Sequence, residues 1–104
     1  MAFDIWFDCD NGQINCQISH EDERILRLAA GNTNFSTLTW LLDNFYNDPV
    51  IYPNVAKSRV IELNNLADYF AKNNRKQSIT HCQKIEHFIR LSVEKMQVIH
   101  CISD

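Results

Sequence analysis

The side chains best equipped for chemistry are four cysteines, at 9, 16, 82 and 101, and four histidines, at 20, 81, 87 and 100. Thiolates and imidazoles hold zinc at C-x-x-C or H-x-x-x-H spacing, because those intervals bring two ligands to one side of a turn or helix. Neither spacing occurs. "THCQ" and "IHCI" each set His beside Cys, but neighbours on a helix point about 100° apart, away from a shared ion. His81 and His87 fall on different helix faces. A Cys–His nucleophile pair needs a thiolate, and Cys82 and Cys101 stand among apolar neighbours, where burial raises a thiol pKa. The chain has two glycines, with no G-x-S-x-G and no Gly-rich phosphate loop. The expectation is no metal, no cofactor and no enzymatic activity. An even cysteine count permits two disulfides, but a chain with enough apolar residues for a core and no export signal favours reduced, buried thiols.

A different chemistry is on offer in "FDIWFDCDNGQINCQIS", residues 3 to 19, where Trp6 stands among aspartates. A calcium loop needs oxygen ligands at positions 1, 3 and 5 before its glycine. With Gly12 as that glycine, Phe7 and Cys9 occupy positions 1 and 3, so the calcium reading fails. Charge is nevertheless concentrated here. Residues 1 to 23 hold six acids and no Lys or Arg, whereas the remainder holds seven acids against ten bases, within a net charge of −3. Carboxylates around an aromatic anchor are the composition of a contact site for a basic protein. The candidate partner-binding residues are Asp4, Trp6, Asp8, Asp10, Glu21, Asp22 and Glu23. A plainer account is also open: Trp6 packs under a helix or loop, and Glu21 to Glu23 answer the dipole of a helix that starts beside them.

Phosphate binding has one candidate, "KNNRKQSITHCQK", with Lys72, Arg75, Lys76 and Lys84. Cations at a helix C-terminus explain it as well, and an acidic face on so small a body repels nucleic acid. No nucleic-acid partner is expected.

These side chains need elements to hold them. Asn11-Gly12 is the favoured pair for a two-residue type I′ turn, which makes paired residue numbers sum to 23. Ile5, Phe7, Cys9, Ile14, Cys16 and Ile18 then share one side. Asp4, Trp6, Asp8, Asp10, Gln13, Asn15, Gln17 and Ser19 share the other. "SHEDERILRLAAG" reads as a helix over about 20–30, with Ser19 and Asp22 as a capping box, Ile25, Leu28 and Ala29 inward, and Gly31 as its stop. Apolar residues at 35, 38, 41, 42 and 45 mark a second helix, capped by Ser36 or Asn34 and ended by Asp48-Pro49. A third restarts at Pro53 and buries Val60, Leu63, Leu66, Ala67 and Phe70 before "NNRKQS". A fourth runs from about 80 to 97, with Thr80 and Gln83 as a possible box. "VIHCIS" could fray, continue that helix, or add a strand beside the hairpin. The fold class is α+β and mainly helical: an N-terminal antiparallel β-hairpin packed on about four α-helices.

One domain, residues 1–104, suits this length and an apolar share of 45%. No stretch approaches the roughly 20 apolar residues that span a bilayer, and the start lacks a signal-peptide pattern. No membrane association and a cytoplasmic location are expected.

The opening "MAFDIWFDCDNG" and the passage "LTWLLDNFYNDPVIYPNVAKSRVIELNNLADYF" resemble small immunity proteins that accompany bacterial toxins, including those of contact-dependent inhibition systems. The resemblance covers about the first 74 residues and lies in a short strand start, Asx-Pro helix breaks and evenly spaced Leu. It implies a chain that binds a cognate toxin domain, often a nuclease, and blocks its active site or substrate path. A regulatory or adaptor protein, such as a phage-encoded inhibitor or an antitoxin, is the alternative. A nucleic-acid-binding factor using the Lys72–Lys84 loop is a third.

Overall fold

The structure, a computed structural model, describes residues 3–27, 35–44, 47, 49–72 and 76–103. Strands β1 (Phe3–Cys9) and β2 (Gly12–Ile18) form the N-terminal hairpin. Helices α1 (His20–Arg27) and α2 (Ser36–Asn44) follow, then the two-residue strand β3 (Val50–Ile51). The long helices α3 (Pro53–Lys72) and α4 (Lys76–Glu94) come next, and β4 (Ile99–Ser103) closes the chain. The fold is α+β and mainly helical, as expected. No helix among the described residues is long and apolar enough to cross a membrane.

The hairpin departs from expectation at its turn. Cys9 faces Gly12, Phe7 faces Ile14, Ile5 faces Cys16 and Phe3 faces Ile18, so paired numbers sum to 21 and the turn centres on Asp10-Asn11. A type I′ turn at Asn11-Gly12 needs positive φ at both residues. Here Gly12 alone takes it, at 125°, and Asn11 is spared the left-handed conformation. The shift amounts to two residues, so no side chain changes face. Ile5, Phe7, Cys16 and Ile18 remain buried, and Asp8, Gln13, Asn15 and Gln17 remain exposed.

The ambiguous C-terminal segment turns out to be a strand. Buried Ile99 and Cys101 alternate with half-buried His100 and exposed Ile102, the period of a one-sided sheet. β4 lies antiparallel to β1 and carries β3 on its far side, giving the order β2-β1-β4-β3. The hairpin therefore belongs to a four-stranded sheet. One hydrophobic cluster fills the space between this sheet and the helices. It joins Phe7 and Ile18 to Leu26, Leu42, Leu66, Phe70, Ile85 and Ile89. Phe7 meets Phe88 of α4 with ring centroids 5.1 Å apart.

The helices follow their sequence signals, with corrections at the ends. Ser19 caps α1 as a reciprocal box: its amide donates to Asp22 Oδ2 at 3.0 Å and its hydroxyl accepts from the Asp22 amide at 3.1 Å. Ile25 is buried as expected; Leu28, Ala29, Gly31, Asn34, Phe45 and Asp48 lie outside the described residues. Pro53 occupies the first position of α3, where its missing N–H costs nothing. α4 begins at Lys76 rather than near 80, so Thr80 and Gln83 sit within it and form no box. It also stops before 97. The Gln97 amide donates to Ser92 O and the Met96 amide to Val93 O, both at 3.0 Å, with Met96 left-handed at φ 52°. This is a Schellman ending built on a residue that pays a Cβ penalty. Met96→Gly is expected to stabilise the protein by about 1 kcal/mol, read as a higher urea midpoint at unchanged slope.

Candidate functional site

The helices cover one face of the sheet and leave the other open, and strand register dictates what that open face displays. One row crosses all four strands as Asn15, Trp6, His100 and Val50. The next row runs Gln17, Asp4 and Ile102, and on the other flank Asp8 faces Gln13. At the centre the Trp6 indole stacks on the His100 imidazole, with ring centroids 4.3 Å apart and planes inclined by 21°. Asp4, Trp6, Gln13, Asn15, Gln17 and Ile102 line an open concavity of about 500 Å³ over these strands. Val50 and Ile102 add apolar surface, being 41% and 50% exposed.

Asp4 and Asp8 stand two residues either side of Trp6 and share its face. Asp8 is exposed, Asp4 half-buried, and Asp10 is exposed in the turn. Among the described residues none of the three has an ion-pair partner. Several acids on the helices are answered: Glu21 by Arg24, Glu23 and Asp43 by Arg27, Glu86 by Arg90. The open face thus sets two carboxylates without ion-pair partners beside an aromatic pair.

Three other predicted residues are placed differently. Glu21 is exposed on α1 beside the second strand, and the hydrogen bond from Arg24 holds its carboxyl below the ordinary range. Asp22 and Glu23 are buried, at 2% and 6% exposure, and cannot meet an incoming partner. The reason lies in helix phase: residues 22, 23, 25 and 26 form the face by which α1 docks on the body.

Asp22 instead organises a polar joint that the sequence reading missed. Its Oδ2 accepts from Lys84 Nζ at 2.7 Å and from the Ser19 amide, while Oδ1 is hydrogen-bonded with His81 Nδ1. Burial pushes this carboxyl up, but the hydrogen bonds from His81, Lys84 and Ser19 outweigh it and hold it well below the usual carboxylate range. Lys84 also donates to the Gln17 carbonyl at 2.8 Å. One carboxylate thus ties α1, α4 and β2 together, and the ammonium once considered for phosphate is already engaged. The available signal was the His81–Lys84 spacing, three apart on one helix face. Its partner lies 62 residues away from Lys84 in sequence and no local pattern reveals it.

The remaining reactive side chains are quiet. None of the four cysteines is in a disulfide, and Cys16, Cys82 and Cys101 are buried. Burial raises the Cys82 thiol to about 12, which keeps it protonated and inert. Among the described residues no group of three His, Cys, Asp or Glu side chains is placed to hold a metal ion. Arg59 of α3 is buried, donates to Val55 O at 3.3 Å and lies 5.5 Å from the Trp40 ring centroid, a cation–π contact within the fold. No protein-family model, curated protein or solved structure is significantly similar to the chain.

Proposed function

We propose that this chain is a binding protein of the immunity type, which neutralises a basic toxin domain by docking the open face of its sheet onto it. The observation that carries the reading is the pair of carboxylates without ion-pair partners, Asp4 and Asp8, that flank Trp6 of the Trp6–His100 stack, with Asp10 in the adjoining turn. A domain that cuts RNA or DNA surrounds its site with Lys and Arg to hold phosphates. Carboxylates on an inhibitor complement that potential, speed the encounter and exclude wrong partners. Charge alone does not anchor a complex. Trp6, half-buried and backed by His100, supplies a rigid apolar centre with Ile102 and Val50 beside it. Gln13, Asn15 and Gln17 offer amide donors and acceptors for the rim. A cytoplasmic site of action suits four cysteines that stand outside any disulfide.

The test requires a toxin C-terminal domain encoded by a neighbouring reading frame, immobilised for kinetic binding; a gene with no such neighbour would count against the reading. Trp6→Ala is expected to weaken affinity by about 30-fold, mostly through faster dissociation. Asp8→Lys is expected to slow association by about tenfold at low salt and to flatten its salt dependence. Wild-type affinity and association rate in both variants would remove this face from the interface.

A further inference from the structure

We propose that the chain self-associates through the free edge of β2, two copies joining antiparallel into one continuous eight-stranded sheet. This goes beyond the open-face reading, because it uses the strand's backbone edge and leaves Trp6 untouched. β2 is an outer strand of seven residues, and "GQINCQI" contains neither a charge nor a proline. Exposed strand edges are ordinarily protected by Lys, Pro, a bulge or extreme shortness. At the opposite edge β3 has two residues and is followed by Tyr52 and Pro53, so shortness protects it.

Backbone direction along β2 can be read from a single contact. Lys84 Nζ reaches the Gln17 carbonyl, so Gln17 turns its peptide groups away from β1. Alternation assigns the same outward direction to Gln13 and Asn15. Lys84 closes the edge at Gln17 and leaves it open at Gln13 and Asn15. A two-fold axis through Ile14, normal to the sheet, then pairs Gln13 with the second copy's Asn15 and Asn15 with its Gln13. Amides meet amides on the open face, and Ile14 meets Ile14 on the helical side, where it already packs at the border of the core. The same operation carries the second copy's turn, with exposed Asp10, to the Gln17–Ile18 end, where the ammonium of Lys84 stands half-exposed. Lys84 gives two of its three N–H donors to Asp22 and the Gln17 carbonyl, which leaves a third for the carboxylate the second copy brings. An uncharged strand is also the region where two bodies of net charge −3 meet with least repulsion. A pairing of this extent is small for an interface, so association belongs in the range of about 10 to 100 µM.

Sedimentation equilibrium of the full chain across that range tests the proposal. Wild type is expected to move from monomer to dimer mass. Asn15→Pro removes one outward N–H without touching the β1 ladder and is expected to weaken dimerisation at least about tenfold. Asp10→Lys, which sets like charge against Lys84, is expected to weaken it similarly, with Asp10→Glu restoring it. Circular dichroism checks that each variant remains folded, and should Asn15→Pro unfold, Asp10→Lys decides. Trp6→Ala is expected to leave the dimer intact, which separates this inference from the toxin-binding face. A wild type that stays monomeric to several hundred micromolar, on the order of ten times the expected constant, overturns the proposal. So does a dimer insensitive to both variants, or one lost with Trp6→Ala.

Discussion

Deleting residues 98–104 is expected to abolish cooperative folding, leaving a broad, featureless thermal transition and a weak near-ultraviolet circular dichroism spectrum. The segment looks dispensable in sequence, but β4 sits between β1 and β3. Its Ile99 and Cys101 are 0% and 2% exposed inside the shared core. Burying a large aliphatic residue such as Ile99 contributes about 2–5 kcal/mol by truncation experience, and Cys101 adds a smaller share. Four residue pairs with β1 go as well, and β3 loses the strand it pairs with. A domain of this size holds about 5–15 kcal/mol in total, so the summed loss reaches the whole of it. A two-stranded hairpin is marginal on its own, and here it also loses the strand that joins it to β3. Ile99→Ala gives a graded version, expected to cost about 3 kcal/mol in urea unfolding. A truncated chain that melts sigmoidally within a few degrees of wild type would show β4 to be an accessory strand.

Asp22→Ala is expected to destabilise the protein by about 3 kcal/mol, far more than a change in an acidic first turn normally does. The substitution removes the acceptor of the Ser19 amide and leaves His81 and Lys84 facing a gap. Loss of the cap alone accounts for about 1 kcal/mol; the remainder comes from uncoupling α1 from α4. The pH dependence gives the sharper readout. The folded carboxyl titrates below its unfolded value, which is about 3.9. Its contribution is therefore fully present above that value and is lost as pH falls below it toward the folded pKa. The stability gap between wild type and Asp22→Asn should shrink steadily from about pH 4 downward. A gap that stays constant down to pH 2, below the range where the unfolded carboxyl titrates, would mean that the ionised carboxylate does not support the joint.

Much of this architecture was legible in local pattern. Alternation in residues 3–18 separated a greasy face from a polar one, and did so correctly despite a register two residues out, because strand periodicity is blind to even shifts. The Ser19–Asp22 box, Pro53 at a helix start, and the inward row of Leu63, Leu66 and Phe70 were equally readable. Each depends on interactions within a few residues along the chain. Helix ends were less legible: Met96 terminates α4 although nothing in its type favours a left-handed backbone, and only the hydrogen bonds to Ser92 and Val93 require it.

Local pattern suffices for an α+β chain whose first strand sets Trp6 among aspartates on one side. Tertiary structure alone decided which of the acids can meet a partner. Asp22 and Glu23 turn inward because α1 docks by that face, whereas Asp8 and Asp10 stay exposed without an ion-pair partner. It also brought His100 beneath Trp6 from 94 residues away, through pairing of β4 with β1. The physical reason is range: capping and alternation are set by neighbours, but strand pairing and a buried carboxylate's partners are chosen by whatever the folded chain carries to the same place.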